Sequence, residues 1–154
     1  VFHLCRATGK PLDELETLLK SERGLKGVCG ASDMRDVVQM AEAGDARAEL
    51  ALTMFCHRVK KFVGAYFAVL GRVDALVFTA GIGENSAVVR RRVCAGLEQL
   101  GIALDDTRNE SAAGECEVQR ADGVVKVLVI PTNEEFEIAE QTMTCLSVAA
   151  DNPK

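Results

Sequence analysis

Two apolar runs constrain this chain more than any other feature. Asp74 to Ala80 (DALVFTA) and Val124 to Ile130 (VVKVLVI) are nearly continuous stretches of apolar residues, each followed at once by turn residues, a pattern that predicts strands buried on both faces. Such strands need helices to cover them, so the chain is expected to be α/β, with parallel strands joined by right-handed crossovers.

The remaining segments supply the helices. Pro11 to Leu19 has proline at a first-turn position and Leu12, Leu15, Leu18 and Leu19 at amphipathic spacing, with Gly24 and Gly27 expected to end it. Asp33 or Ser32 can cap a helix from Met34 to about Glu42. Ala46 to Leu70 carries the stripe Ala48, Leu52, Phe55, Val59, Phe62, Tyr66 and Leu70. At 1.5 Å per residue it would span roughly 37 Å, enough to cross the domain and reach a partner. Asn85 to Leu100 reads as a helix with Val88, Val89, Val93, Leu97 and Leu100 inward, and Glu134 to about Ala149 as the last. Short strands are expected at Ile102 to Leu104 and Cys116 to Arg120, with Asp105 to Glu115 as loop or a helical turn. With no repeat or linker, residues 1–154 read as one domain.

Composition narrows the partners. Lys and Arg number 18 against 23 Asp and Glu, a net charge of −5, whereas nucleic-acid binders carry clustered basic surface. In the long central segment the longest apolar run free of charge, Phe62 to Leu70, falls far short of the roughly 20 residues that cross a bilayer, so no membrane role is expected. Cysteines at 5, 29, 56, 94, 116 and 145 form no CxxC pair, which predicts scattered reduced thiols and a cytoplasmic location. Cys56, Cys94 and Cys145 are expected to act as small apolar side chains within helices. The opening Val1, Phe2, His3, Leu4, Cys5 reads as the interior of a longer protein.

Ligands of open α/β sheets bind beyond the carboxyl ends of the strands, and two such ends carry unusual residues, Gly81 to Asn85 and Pro131 to Glu135. The glycines either make a tight strand-to-helix turn or let the backbone approach a flat ligand, since no Cβ intervenes. Gly81, Gly83 and Ser86 approximate the dinucleotide motif GxGxxG, with Asp105 or Asp106 about 20 residues on. Against that reading, Ser86 replaces the third glycine and Glu84 puts a carboxylate where a pyrophosphate needs bare N–H groups. No GK[ST] phosphate loop follows either. At the second end, Thr132 and Glu135 have capping-box spacing, while Glu134 could hold Mg²⁺; the two readings are compatible. His3 and His57 have no nucleophile partner by spacing and receive no role.

The segments SDMRDV (Ser32 to Val37), CHRVKKFVGAY (Cys56 to Tyr66), FTAGIGENSAVVR (Phe78 to Arg90) and PTNEE (Pro131 to Glu135) closely resemble the C-terminal domain of acetate kinases. The resemblance covers essentially the whole chain. It implies a ribonuclease H-like domain of the actin and hexokinase superfamily, with parallel and mixed sheet flanked by helices. It implies that Gly81, Ile82, Gly83, Glu84 and Asn85 form an adenosine-binding turn, that Asp33, Met34 and Arg35 join it, and that Glu134 is associated with Mg²⁺. It further implies ATP and ADP as ligands, acetate as phosphoryl acceptor and a homodimer. The family's phosphate-binding segment and catalytic groups are expected before Val1, so no catalytic residue is assigned and the chain by itself is expected to make no acetyl phosphate. Propionate or butyrate as acceptor, a noncatalytic nucleotide-binding or dimerisation module, and an NAD-dependent dehydrogenase domain are the competing readings.

Overall fold

The computed structural model describes residues 1–151. Five helices precede the first strand: α1 (Phe2–Thr8), α2 (Leu12–Ser21), α3 (Leu25–Cys29), α4 (Met34–Glu42) and α5 (Ala46–Leu70). Strand β1 (Ala75–Phe78) leads into α6 (Ala80–Asn85) and α7 (Ala87–Cys94); a 3-10 turn (Glu98–Leu100) and α8 (Asp106–Glu110) follow. Strands β2 (Cys116–Glu117) and β3 (Lys126–Val129) and helix α9 (Glu134–Asp151) complete the order.

The sheet is mixed, in the order β1-β3-β2. β1 runs parallel to β3, from Ala75 beside Lys126 to Phe78 beside Val129, and β2 pairs antiparallel to β3 through Cys116 and Glu117. Register puts Leu76 beside Val127 and Phe78 beside Val129 on one face, and that face joins the core, with Val127, Val129 and Phe78 buried. α4, α5 and α7 contribute Val37, Ala48, Leu52, Cys56, Val89, Val93 and Cys94 to the same core. The opposite face is not covered at β1: Ala75 is exposed and Val77 is 45% exposed. The expectation of burial on both faces is therefore corrected for this strand.

Caps explain where the helices start. Asp33 accepts from Arg35 N at 2.8 Å and opens α4; Asp45 accepts from Arg47 N and Ala48 N and opens α5. α5 has the predicted bounds, but its stripe divides: Ala48 and Leu52 are buried, whereas Phe62, Tyr66 and Leu70 are exposed. Gly24 and Gly27 do not end α2, which stops at Ser21; Gly27 lies inside α3. The helix expected from Asn85 to Leu100 is instead broken at Ser86, whose extended backbone caps α7 through Oγ to Val89 N. Ile102 to Leu104 forms no strand: it meets Gln119 through a single bridge at Leu104, with Asp105 N donating to Val118 O and Arg120 N to Ala103 O. The six cysteines are unpaired; Cys56 and Cys94 are buried as expected, but Cys145 is exposed. No helix among the described residues is long and apolar enough to cross a membrane.

Candidate nucleotide site

The core brings the start of α4 against the residues that follow β1. Between them lies a cleft of about 930 Å³, lined by Asp33, Met34, Arg35 and Val38 on one side and Gly81, Ile82, Asn85, Ser86, Ala87 and Val88 on the other. That is the size range of small-molecule sites. Its walls are mainly apolar, with polar atoms from Asp33, Arg35, Asn85 and Ser86 at intervals.

The segment Gly81 to Glu84, expected as a turn, is the body of the short helix α6. Entry to that helix is strained: Ala80 has φ of 58°, in the left-handed region that disfavours a Cβ. The two glycines differ in what they allow. A Cβ at Gly83 would sit 3.2 Å from the Phe78 carbonyl carbon, so glycine there lets α6 close against the end of β1. A Cβ at Gly81 would meet nothing within 4 Å and would project into open space, at a residue that lines the cleft. Packing thus accounts for Gly83 and not for Gly81.

Buried Arg90, 2% exposed, holds α6 from beneath. Its Nη1 donates to Gly83 O (2.9 Å) and Glu84 O (2.7 Å), while Nε and Nη2 donate to Asn109 Oδ1 and O. Asn109 is fully buried and donates onward to Ala87 O. Burial pushes the Arg90 pKa down, yet each of the three guanidinium nitrogens finds a carbonyl acceptor. Asn85 Nδ2 closes α6 on itself by donating to Gly81 O at 2.9 Å. Sequence reasoning overlooked Arg90 and Asn109 as supports of the site. The available signal was an arginine next to inward Val89 and four residues before Cys94, on the buried side of α7.

Asp33 and Arg35 pair closely, with Arg35 Nη2 2.6 Å from Asp33 Oδ2. The Arg35 hydrogen bonds hold the Asp33 carboxyl down at about 2. At the other strand end, Thr132 does not act as the expected capping box with Glu135. Asn133 Oδ1 accepts from Phe136 N at 3.1 Å and opens α9, while Thr132 N and Oγ1 both donate to Glu84 Oε1. Gly83, Glu84 and Glu134 do not line the cleft. Glu134 stands exposed in the first turn of α9. The carboxylates that a dinucleotide motif would use for a ribose are engaged elsewhere: Asp105 caps α8 through Arg108 N, and Asp106 pairs with Arg91.

The chain is similar to known proteins over most of its length. The profile of the acetokinase family matches residues 1–140. An acetate kinase of Syntrophobacter fumaroxidans is 56% identical over 143 residues, covering 92% of this chain and 35% of the relative. The crystal structure of Porphyromonas gingivalis acetate kinase superposes with a TM-score of 0.86 at 41% identity, covering 94% of this chain and 37% of that one. A propionate kinase from Francisella tularensis gives 0.82 at 39% identity, covering 89% and 35%. The chain spans about a third of the length of these relatives. The ribonuclease H-like architecture of the actin and hexokinase group, expected from the resemblance, is the fold it shares with these neighbours. Because the match is continuous through α4, β1, the cleft and β3, the chain belongs to the acetokinase family.

Proposed function

We propose that the cleft between α4 and α6 holds the adenosine of ATP and ADP, and that the chain is the nucleotide-binding part of an acetate kinase. The observation that carries this reading is Gly81, a glycine that packing does not require and whose missing Cβ leaves room for a ligand. Met34, Ile82 and Val88 offer apolar contact to a purine face, and Asp33, Asn85 and Ser86 offer polar atoms around it.

Among the described residues no three His, Cys, Asp or Glu side chains converge on a metal site. Mg²⁺ needs no such cluster, because it keeps water and substrate phosphate and takes one or two carboxylates. Glu134, an exposed hard-oxygen donor just past β3, fits that requirement and is proposed to hold it. Held by Glu134, Mg²⁺ would neutralise charge on the nucleotide phosphates. In the reaction, the bond from the γ-phosphorus to its bridging oxygen breaks and a carboxylate oxygen of acetate takes the phosphoryl group, giving ADP and acetyl phosphate. The residues named here bind and orient the nucleotide; none is assigned to the carboxylate.

A homodimer and a cytoplasmic location belong to the same proposal, and exposed Phe62, Tyr66 and Leu70 on α5 support the first. The Francisella tularensis propionate kinase, nearly as similar as the acetate kinase structure, makes propionate the second acceptor to test. The assay supplies ATP and Mg²⁺ with acetate, propionate or butyrate to the protein that carries this chain. Turnover of about 1 to 1,000 per second with acetate favoured is expected. Glu134→Gln should lower turnover and weaken its dependence on Mg²⁺. Transfer to none of the three acids, with ADP still bound, would leave a noncatalytic module.

A further inference from the structure

Glu84 binds the two strand ends to each other. One carboxylate oxygen accepts two hydrogen bonds from a residue 48 positions away, from Thr132 N at 2.7 Å and Thr132 Oγ1 at 3.1 Å. The main chain of Glu84 is itself fixed, because its carbonyl accepts from the buried Arg90, which Asn109 anchors in turn. The β1–β3 ladder reaches only as far as Ile130 N on Phe78 O. Pro131 then has no N–H to extend it. From that point the Glu84 carboxylate joins the glycine helix to the segment running into α9, and Thr132 lies two residues before Glu134.

We infer that Glu84 is a positioning residue: its bond to Thr132 sets where Glu134 stands relative to the cleft, so that a nucleotide seated on Gly81 presents its phosphates to the ion at Glu134. This rests on the nucleotide and Mg²⁺ reading above. Glu84 touches no nucleotide on this account, consistent with its absence from the cleft lining. Its effect falls on the part of affinity that phosphates and metal add to adenosine.

The test is calorimetric titration of the protein that carries this chain with adenosine and with ADP, each with and without Mg²⁺. Glu84→Ala should leave adenosine affinity within about twofold and reduce the Mg²⁺-dependent gain in ADP affinity by about tenfold, the scale of a lost hydrogen bond to a charged group. Glu84→Gln retains an oxygen that can accept both Thr132 bonds and should restore most of the gain. Thr132→Val, which removes only the hydroxyl, should show a smaller loss with adenosine unchanged, and decides the matter if Glu84→Ala does not fold. Equal losses for adenosine and ADP, or no change in the Mg²⁺-dependent gain in any variant, would overturn the inference while sparing the nucleotide site. A parent protein that binds neither adenosine nor ADP would instead overturn the nucleotide reading and this inference with it.

Discussion

Gly81 and Gly83 look alike in the sequence and do different things in the structure. Gly83→Ala forces a Cβ against the Phe78 backbone, which cannot yield like a flexible side chain, and should cost about 1–3 kcal/mol in urea unfolding. Gly81→Ala has open space and a helical backbone, so stability should hold or rise by up to about 1 kcal/mol while ADP affinity falls. The reverse pattern would make Gly81 the packing residue. Asp33 gives a second residue-level prediction. Its carboxyl is held from 3.8 to about 2, first by the Arg35 side-chain hydrogen bond. The folded state therefore keeps this charge further into acid than the unfolded chain does. Its contribution to stability is complete above about pH 4 and is lost as pH falls towards 2. An NMR titration should place the Asp33 midpoint near 2, and Arg35→Ala should move it up.

At the scale of elements, local signals were legible where local forces decide. The cap of α4 and the apolar spacing of α5 gave their bounds as found; Asp33 satisfies an N–H beside it as expected, and Asp45 does the same for α5 without having been read as a cap. Long-range contacts were not legible. Thr132 has the spacing of a cap, but Glu84, remote in sequence, engages its N–H and hydroxyl, and Asn133 caps α9 instead. The break at Ser86 was hidden because Val88, Val89 and Val93 keep helical spacing on either reading, while the apolar run of β1 does not reveal that one face lacks a cover. Helix α7 also carries a measurable consequence of burial. Desolvation pushes the Cys94 thiol up from 9.0 to about 12, and Cys56 on α5 is raised for the same reason. Maleimide labelling at pH 8 followed by mass spectrometry should modify exposed Cys145 and spare Cys94 and Cys56 until the protein is unfolded. The Cys94 contribution to stability is intact below pH 9 and is lost as pH rises from there towards 12, where the unfolded thiol ionises and the folded one does not.

For the whole molecule, the fold places two chemically different ends together. Parallel pairing of β1 and β3 brings their carboxyl ends to one edge, α5 carries the chain from the Asp33 side of the cleft to the Gly81 side, and Arg90 and Glu84 tie the edge into one piece. α/β class, both main strands and the residues at their ends could be read in advance, and the resemblance supplied the family. The link between cleft and strand end could not, because it depends on a carboxylate whose target is fixed only by tertiary structure. The central claim is that this edge binds an adenine nucleotide with Mg²⁺. Calorimetric titration of the protein that carries this chain with ADP, in Mg²⁺ and in its absence, and with NAD as control, tests it most directly. The account predicts saturable ADP binding that Mg²⁺ strengthens and that Gly81→Ala weakens, with no heat from NAD. Saturable NAD binding, or ADP binding indifferent to both Mg²⁺ and Gly81→Ala, would contradict it.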